Sequence, residues 1–180
     1  MSEGKAIDKG EAMRVALDEL ESLKGEIAAN MAAAGEVASG RTIASMRVTD
    51  DGAGTATLWG RKPFGTLETG RKAGRVPRNF GAIIYQWMMD KGLHSAAAMP
   101  YKRGGLHKYS ERERADRSMA WAIARTIERK GTSLYRAGGR ADIYSNVIPG
   151  AVQRIAGRVA SITLASVAGQ IKLNGNSITV

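Results

Sequence analysis

Residues 41–59 read RTIASMRVTDDGAGTATLW, and whether the chain is all-helical or mixed turns on them. Thr42, Ala44, Met46 and Val48 alternate with Arg41, Ile43, Ser45 and Arg47; Asp50-Asp51-Gly52-Ala53-Gly54 and then Thr55-Ala56-Thr57-Leu58-Trp59 follow. A period of two puts successive side chains on opposite faces of a strand, and Asp with Gly supplies the turn. A β-hairpin is expected, with Ile43 interrupting the clean alternation.

On either side of the hairpin the period changes to that of a helix. From about Asp8 to Ala34, Met13, Leu17, Leu20, Leu23, Ile27 and Met31 recur every three or four residues among charged ones, the mark of an amphipathic helix. Gly35 or Gly40 would stop it. Residues 60–77 hold four glycines and two prolines, which predicts a long structured loop. Pro77 is well placed as a first helical residue, and Phe80, Ile83, Ile84, Trp87 and Met88 mark one face of a helix ending at Lys91-Gly92. Residues 93–109 read as an excursion. Ser110 with Glu113 forms a capping-box pattern for a helix through Met119, Ile123 and Ile127 to Lys130-Gly131. Pro149 opens a last helical pattern through Val152, Ile155, Val159 and Ile162; a strand over Ser161 to Ala165 competes with it, and Lys172 to Val180 is Asn/Gly-rich, extended or disordered.

At 180 residues the chain is long enough for one domain with a real core. No run of about 18 apolar residues is present to cross a bilayer. The start Met1-Ser2-Glu3-Gly4-Lys5 leads into a polar helix pattern, so no secretory leader is expected. Without cysteine there is no disulfide, thiolate metal site or cysteine nucleophile, and the redox compartment stays open. His94 and His107 lack the partners and spacing of a metal shell. No Gly-x-Ser-x-Gly elbow or phosphate-binding glycine loop occurs, and Asp50-Asp51 reads as a turn former. No catalytic residue, cofactor site or metal site is assigned, and the chain is not expected to be an enzyme.

The formal charge of +10 is unevenly placed. Residues 1–59 carry 6 Lys and Arg against 10 Asp and Glu, residues 60–140 carry 18 against 6, and residues 141–180 carry 3 against 1. A localised basic region is the footprint of a surface for an acidic partner. Basic and aromatic residues also interleave, from Arg75, Arg78, Phe80, Tyr85 and Trp87 to Tyr101, Lys108, Tyr109, Arg112, Arg114 and Arg117. Against a phosphate track, Phe80 and Trp87 share the apolar helix face, and the mixed signs after Ser110 suit a salt-bridged solvated face. No base-reading motif emerges.

A set of punctuation residues remains: Leu67-Glu68-Thr69-Gly70, Val76-Pro77, Ile83 to Trp87, Lys91-Gly92-Leu93, Ala120-Trp121-Ala122-Ile123-Ala124-Arg125, and Lys130-Gly131-Thr132. In order and spacing this resembles the tail-completion, or head-to-tail joining, proteins of long-tailed bacteriophages over residues 55–150. The basic loop between Gly70 and Pro77, the long excursion and the Leu134 to Gly139 ending depart from that pattern. The resemblance implies an α+β fold, an amino-terminal amphipathic helix and two further helices packed on a small antiparallel sheet, with long interface loops. It implies a tail-completion-like domain over 1–150, with loops 60–77 and 93–109 as assembly arms, and a helix and extended tail over 151–180. It implies a structural virion protein of the neck, made in the host bacterial cytoplasm, whose homo-oligomeric ring of six or twelve copies joins the portal or connector of the DNA-filled head to the tail tube. By resemblance, Glu68 and Gly70 lie at a turn, Pro77 and Gly92 punctuate a helix, Trp87 anchors the core, and Gly131-Thr132 ends the second long helix. Arg61, Lys62, Arg71, Lys72, Arg75, Arg78, Lys102 and Arg103 are the candidates to face neighbouring ring proteins or genome DNA in the channel. The alternative reading is a basic DNA-binding accessory protein.

Overall fold

A computed structural model describes residues 9–101 and 108–175. The chain forms helices and one two-stranded antiparallel sheet, the α+β class expected. It divides into two compact units that interleave in sequence: residues 9–35, 45–61 and 141–175 in the first, 36–44, 62–101 and 108–140 in the second.

In the first unit, α1 (Lys9–Ala33) packs on both strands and on α7 (Ile148–Gly175). The buried stripe of α1 is Val15, Glu19, Leu23, Ile27 and Met31, at a constant spacing of four. Met13, Leu17 and Leu20, expected on that face, are only half-buried. Glu19 can occupy a core position because two guanidinium groups of α7 meet it: Arg154 Nε donates to its Oε2 and Arg158 Nη1 to its Oε1, each at 2.9 Å. The Arg154 and then the Arg158 bond hold the Glu19 carboxyl below its usual pKa, and Arg154 is shifted up in turn. Arg154 also reaches Glu26, and Asn30 donates to the Ile143 carbonyl, so α7 ascends as α1 descends and the two helices are antiparallel. Residues 161–165 belong to α7, which settles the helix over the strand, and the segment from 151 lies in the same unit as α1.

The hairpin is shorter than its alternation. β1 (Arg47–Asp50) pairs with β2 (Ala56–Trp59) in the register Arg47↔Trp59 through Asp50↔Ala56. Arg41–Ala44, read as strand, is instead a helical turn, α2, in the second unit; Gly40 at φ 71° precedes it and Ala44 N donates back to the Gly40 carbonyl. At the hairpin tip the Asp51 carboxylate accepts from Thr55 N and Ala53 N, bonds that lower its pKa, and Asp50 accepts from Gly52 N. Both aspartates are turn formers.

The second unit is built on α4 (Phe80–Asp90) and α5 (Glu111–Lys130), which pack on each other. Between β2 and α4 come a 3-10 turn (Lys62–Gly65) and the short α3 (Thr66–Thr69); α6 (Ser133–Arg136) follows α5. Ala120 and Ala124 of α5 let α4 approach closely, so Ile84 and Met88 are buried between the helices, flanked by Phe80, Tyr85, Met89, Ile123 and Ile127. Full burial of a side chain such as Met88 is worth about 1.5–3 kcal/mol. Helix ends follow the local signals. Ser110 Oγ accepts from Glu113 N at the start of α5. α4 stops in a Schellman arrangement: Gly92, at φ 65°, donates to Met89, and Leu93 N donates to the Met88 carbonyl. Its start lies at Phe80, three residues after Pro77, whose carbonyl accepts from Phe80 N.

Candidate functional site

Four of the residues singled out by motif meet in one junction of the second unit. The α3 turn carries Glu68, buried, and ends in Gly70 at φ 68°, ψ −175°. Arg71 N donates to Thr132 Oγ1 and Thr132 N donates to the Arg71 carbonyl, both at 2.9 Å. Thr132 Oγ1 also caps α6 by accepting from Tyr135 N. Farther along the loop, Gly74 N donates to the Glu128 carbonyl near the end of α5, and Arg140 N donates to the Glu68 carbonyl. Backbones approach so closely here that a Cβ on Gly70 would lie 2.5 Å from Tyr135 N, and one on Gly131 would lie 2.7 Å from the Arg71 carbonyl oxygen. Glycine is required at both positions by space as well as by positive φ.

The 60–77 loop is structured, as its glycines and prolines predict: within this unit, residues 71–74 are bonded to the end of α5 and the start of α6. Arg71 is part of that stitching: its guanidinium donates to the Arg75 carbonyl and lies 5.5 Å from the Phe80 ring centroid. Its Nε is buried with no partner among the described residues. Lys72, Arg75 and Arg78 are exposed around it. Lys62 is exposed in the 3-10 turn of the same unit, whereas Arg61 belongs to the first unit. Lys102 and Arg103 lie outside the described residues.

Trp87 does not anchor the core. It is 40 % exposed, as is its neighbour on the helix, Ile83, at 46 %, while Met88 is fully buried. The apolar stripe of α4 is wide, and the half carrying Phe80, Ile84 and Met88 is the half that faces the alanines of α5.

A cluster that motif reading did not assemble lies along the first half of α5. The buried Asp116 carboxylate meets His94 Nδ1 at 3.0 Å and accepts from Ser95 N at 2.6 Å, tying the start of the 93–109 excursion to the helix. The His94 bond, and then the Ser95 bond, lower the pKa of Asp116. Met99 N donates to the Glu111 carbonyl and Tyr101 OH to the Tyr109 carbonyl, so the described ends of the excursion are anchored as well. Arg117 lies between two rings, 4.5 Å from the Tyr85 centroid and 4.1 Å from that of Tyr109, and its ion pair with Glu113 at 2.8 Å raises its pKa. Arg114 lies 4.9 Å from the Tyr101 ring and Arg125 5.0 Å from Trp121. The Glu113–Arg117 pair is the salt bridge the sequence suggested, but Asp116 is core and the tyrosines hold the arginines. The one signal for Asp116 is its phase, four and eight residues before Ala120 and Ala124.

Among the described residues no group of three or more His, Cys, Asp or Glu could hold a metal ion. No helix among the described residues is long and apolar enough to cross a membrane. What the second unit offers is charge: its sequence, residues 36–44 and 62–140, carries 18 Lys and Arg against 7 Asp and Glu, while the first unit carries 9 against 10. Comparison of the chain with protein-family models, with curated proteins and with solved structures finds no match.

Proposed function

We propose that the chain is a structural protein of the bacteriophage neck, a homo-oligomeric ring of six or twelve copies that joins portal or connector to tail tube and completes the tail. The observation carrying this reading is the junction: Glu68, Gly70, Gly131 and Thr132, picked out by their order in the sequence, interlock through two glycines that no other residue can replace without displacing backbone. Motif residues that are locally unspecific but meet in space behave as one structural signature. The segregation of positive charge into one unit adds a surface suited to acidic neighbours, and a ring subunit needs faces for copies on both sides.

Electron microscopy and native mass spectrometry of the full chain, alone and with portal and tail-tube proteins, are expected to find rings of six or twelve copies. Lys72→Glu combined with Arg75→Glu should block the joining of heads to tails while leaving the monomer folded; Arg71 is left in place because it holds the loop. A chain that stays monomeric with both neighbours present overturns the proposal. A steep salt-dependent shift of duplex DNA by such a monomer would support the accessory DNA-binding reading instead.

A further inference from the structure

Between the start of α4 and the middle of α5 the second unit has an open cleft of about 310 Å³, lined by Arg78, Asn79, Gly81, Ala82, Tyr85, Arg117 and Trp121. Three features set its chemistry. Trp121 is 60 % exposed on α5, off the Ala120 and Ala124 side that packs on α4, with the Arg125 guanidinium 5.0 Å from its ring, so much of a large aromatic surface is left open to a ligand. Two cations line the cleft and no carboxylate does; Arg117 is fixed by its tyrosines and Glu113, while Arg78 has no ion-pair partner among the described residues. The side chain of Asn79, at the N-cap position of α4, makes no capping bond, so its amide can both donate and accept toward a ligand.

We propose that this cleft is a single-stranded nucleic-acid site that takes one nucleotide, its base stacked on Trp121 and its phosphate held by Arg78 and Arg117. Aromatic faces beside cations are how sequence-tolerant strands are held, since every base has a π-face and every linkage an anionic phosphate. The volume lies at the low end for small-molecule sites, about 300–1,000 Å³, which suits one base with its phosphate and leaves no room for a duplex. An acidic peptide would satisfy the arginines but would leave the exposed indole unused. The proposal goes beyond ring formation and is independent of it, because binding to the cleft can be read on monomer or ring.

The test is titration of the full chain with fluorescent oligothymidylate of 12 residues, the matching duplex, an abasic strand of equal length and polyglutamate. The single strand is expected to bind tightest and to quench tryptophan emission. Trp121→Ala should weaken it by about 5- to 150-fold, the range for losing one stacked base. Trp59→Ala, which removes an exposed tryptophan of the first unit, should leave it unchanged. Arg78→Glu, at an exposed position before α4, is the second variant should Trp121→Ala misfold, and it should also weaken binding. Equal affinity for the abasic strand, the duplex or polyglutamate, or wild-type affinity in Trp121→Ala or in a folded Arg78→Glu, would overturn the proposal; ring assembly, scored separately by microscopy, bears on neither result.

Discussion

Replacing Gly70 by alanine tests whether the junction holds the second unit together. At φ 68°, ψ −175°, Gly70 lies in a region essentially closed to other residues, at a cost of about 1–3 kcal/mol. The added Cβ would also lie 2.5 Å from Tyr135 N and 2.6 Å from Thr132 Oγ1, so one of them must move. Thr132 Oγ1 accepts from both Arg71 N and Tyr135 N, and each bond is worth about 0.5–1.5 kcal/mol. Together the expected loss is about 2–6 kcal/mol, centred on about 4. With a urea slope of about 2 kcal/mol/M the midpoint should fall by about 2 M. Two other glycines calibrate the measurement. Gly92 has φ 65° but open space around its Cβ position, so Gly92→Ala pays backbone strain alone, about 1–2 kcal/mol. Gly157 is helical with nothing within 4 Å, and Gly157→Ala should stabilise by about 0.5–1 kcal/mol. Urea unfolding followed by circular dichroism gives all three midpoints. If Gly70→Ala costs no more than Gly92→Ala, the close approach at the junction contributes nothing and the argument from space is wrong.

Two further outcomes follow from the buried carboxylates. Because Asp116 titrates below its ordinary value of 3.8 in the folded chain, its contribution is present above that value and is lost as pH falls through the lower folded one; Asp116→Asn should therefore be less stable than wild type at neutral pH, with the gap closing below about pH 4 in urea midpoints taken across pH 2–7. Glu19 interrupts an otherwise apolar stripe, and its partners Arg154 and Arg158 are exposed enough to be rehydrated, so Glu19→Leu should hold or raise the thermal midpoint at neutral pH; a fall of several degrees would mean that the ion pairs stabilise the α1–α7 contact more than an apolar side chain can.

What the sequence made legible was mostly local. Ser110 with Glu113, Gly92 and Gly131 each act within one turn of their own helix, and each end lies where these residues put it. The hairpin turn is equally local, since Asp50 and Asp51 bond to amides at most four residues away. Two departures from the local pattern have distant causes. Where an apolar stripe is wider than the contact it makes, as on α4, the facing helix decides which half is buried; Ala120 and Ala124 chose Met88 and left Trp87 out. Where a group is buried against its type, as Glu19 and Asp116 are, the reason lies far away in sequence: Arg154 is 135 residues from Glu19, and His94 is 22 from Asp116. No short-range pattern encodes such pairs. The Gly70–Thr132 junction is intermediate, because its residues were picked out by order while their contact across more than sixty residues was not foreseen.

The placement of charge links the proposed assembly surface to the cleft. In the second unit Arg41, Arg117, Arg125 and Arg140 pair with Asp90, Glu113, Glu128 and Glu36, and every such pair leaves the net charge unchanged. Seven carboxylates cannot neutralise eighteen cations however they are arranged, so most of the positive charge must be met by something outside the unit. In water this is counter-ions, whose release favours any anionic partner and makes the association fall with salt. A duplex, a single strand and an acidic protein face can each supply that term. Only a feature that charge does not supply can discriminate among them, and of the two exposed indoles of this unit, Trp87 and Trp121, Trp121 is the one that lines a cleft with Arg78 and Arg117. Specificity is therefore to be sought in stacking at α5, while affinity and its salt dependence belong to the whole basic surface.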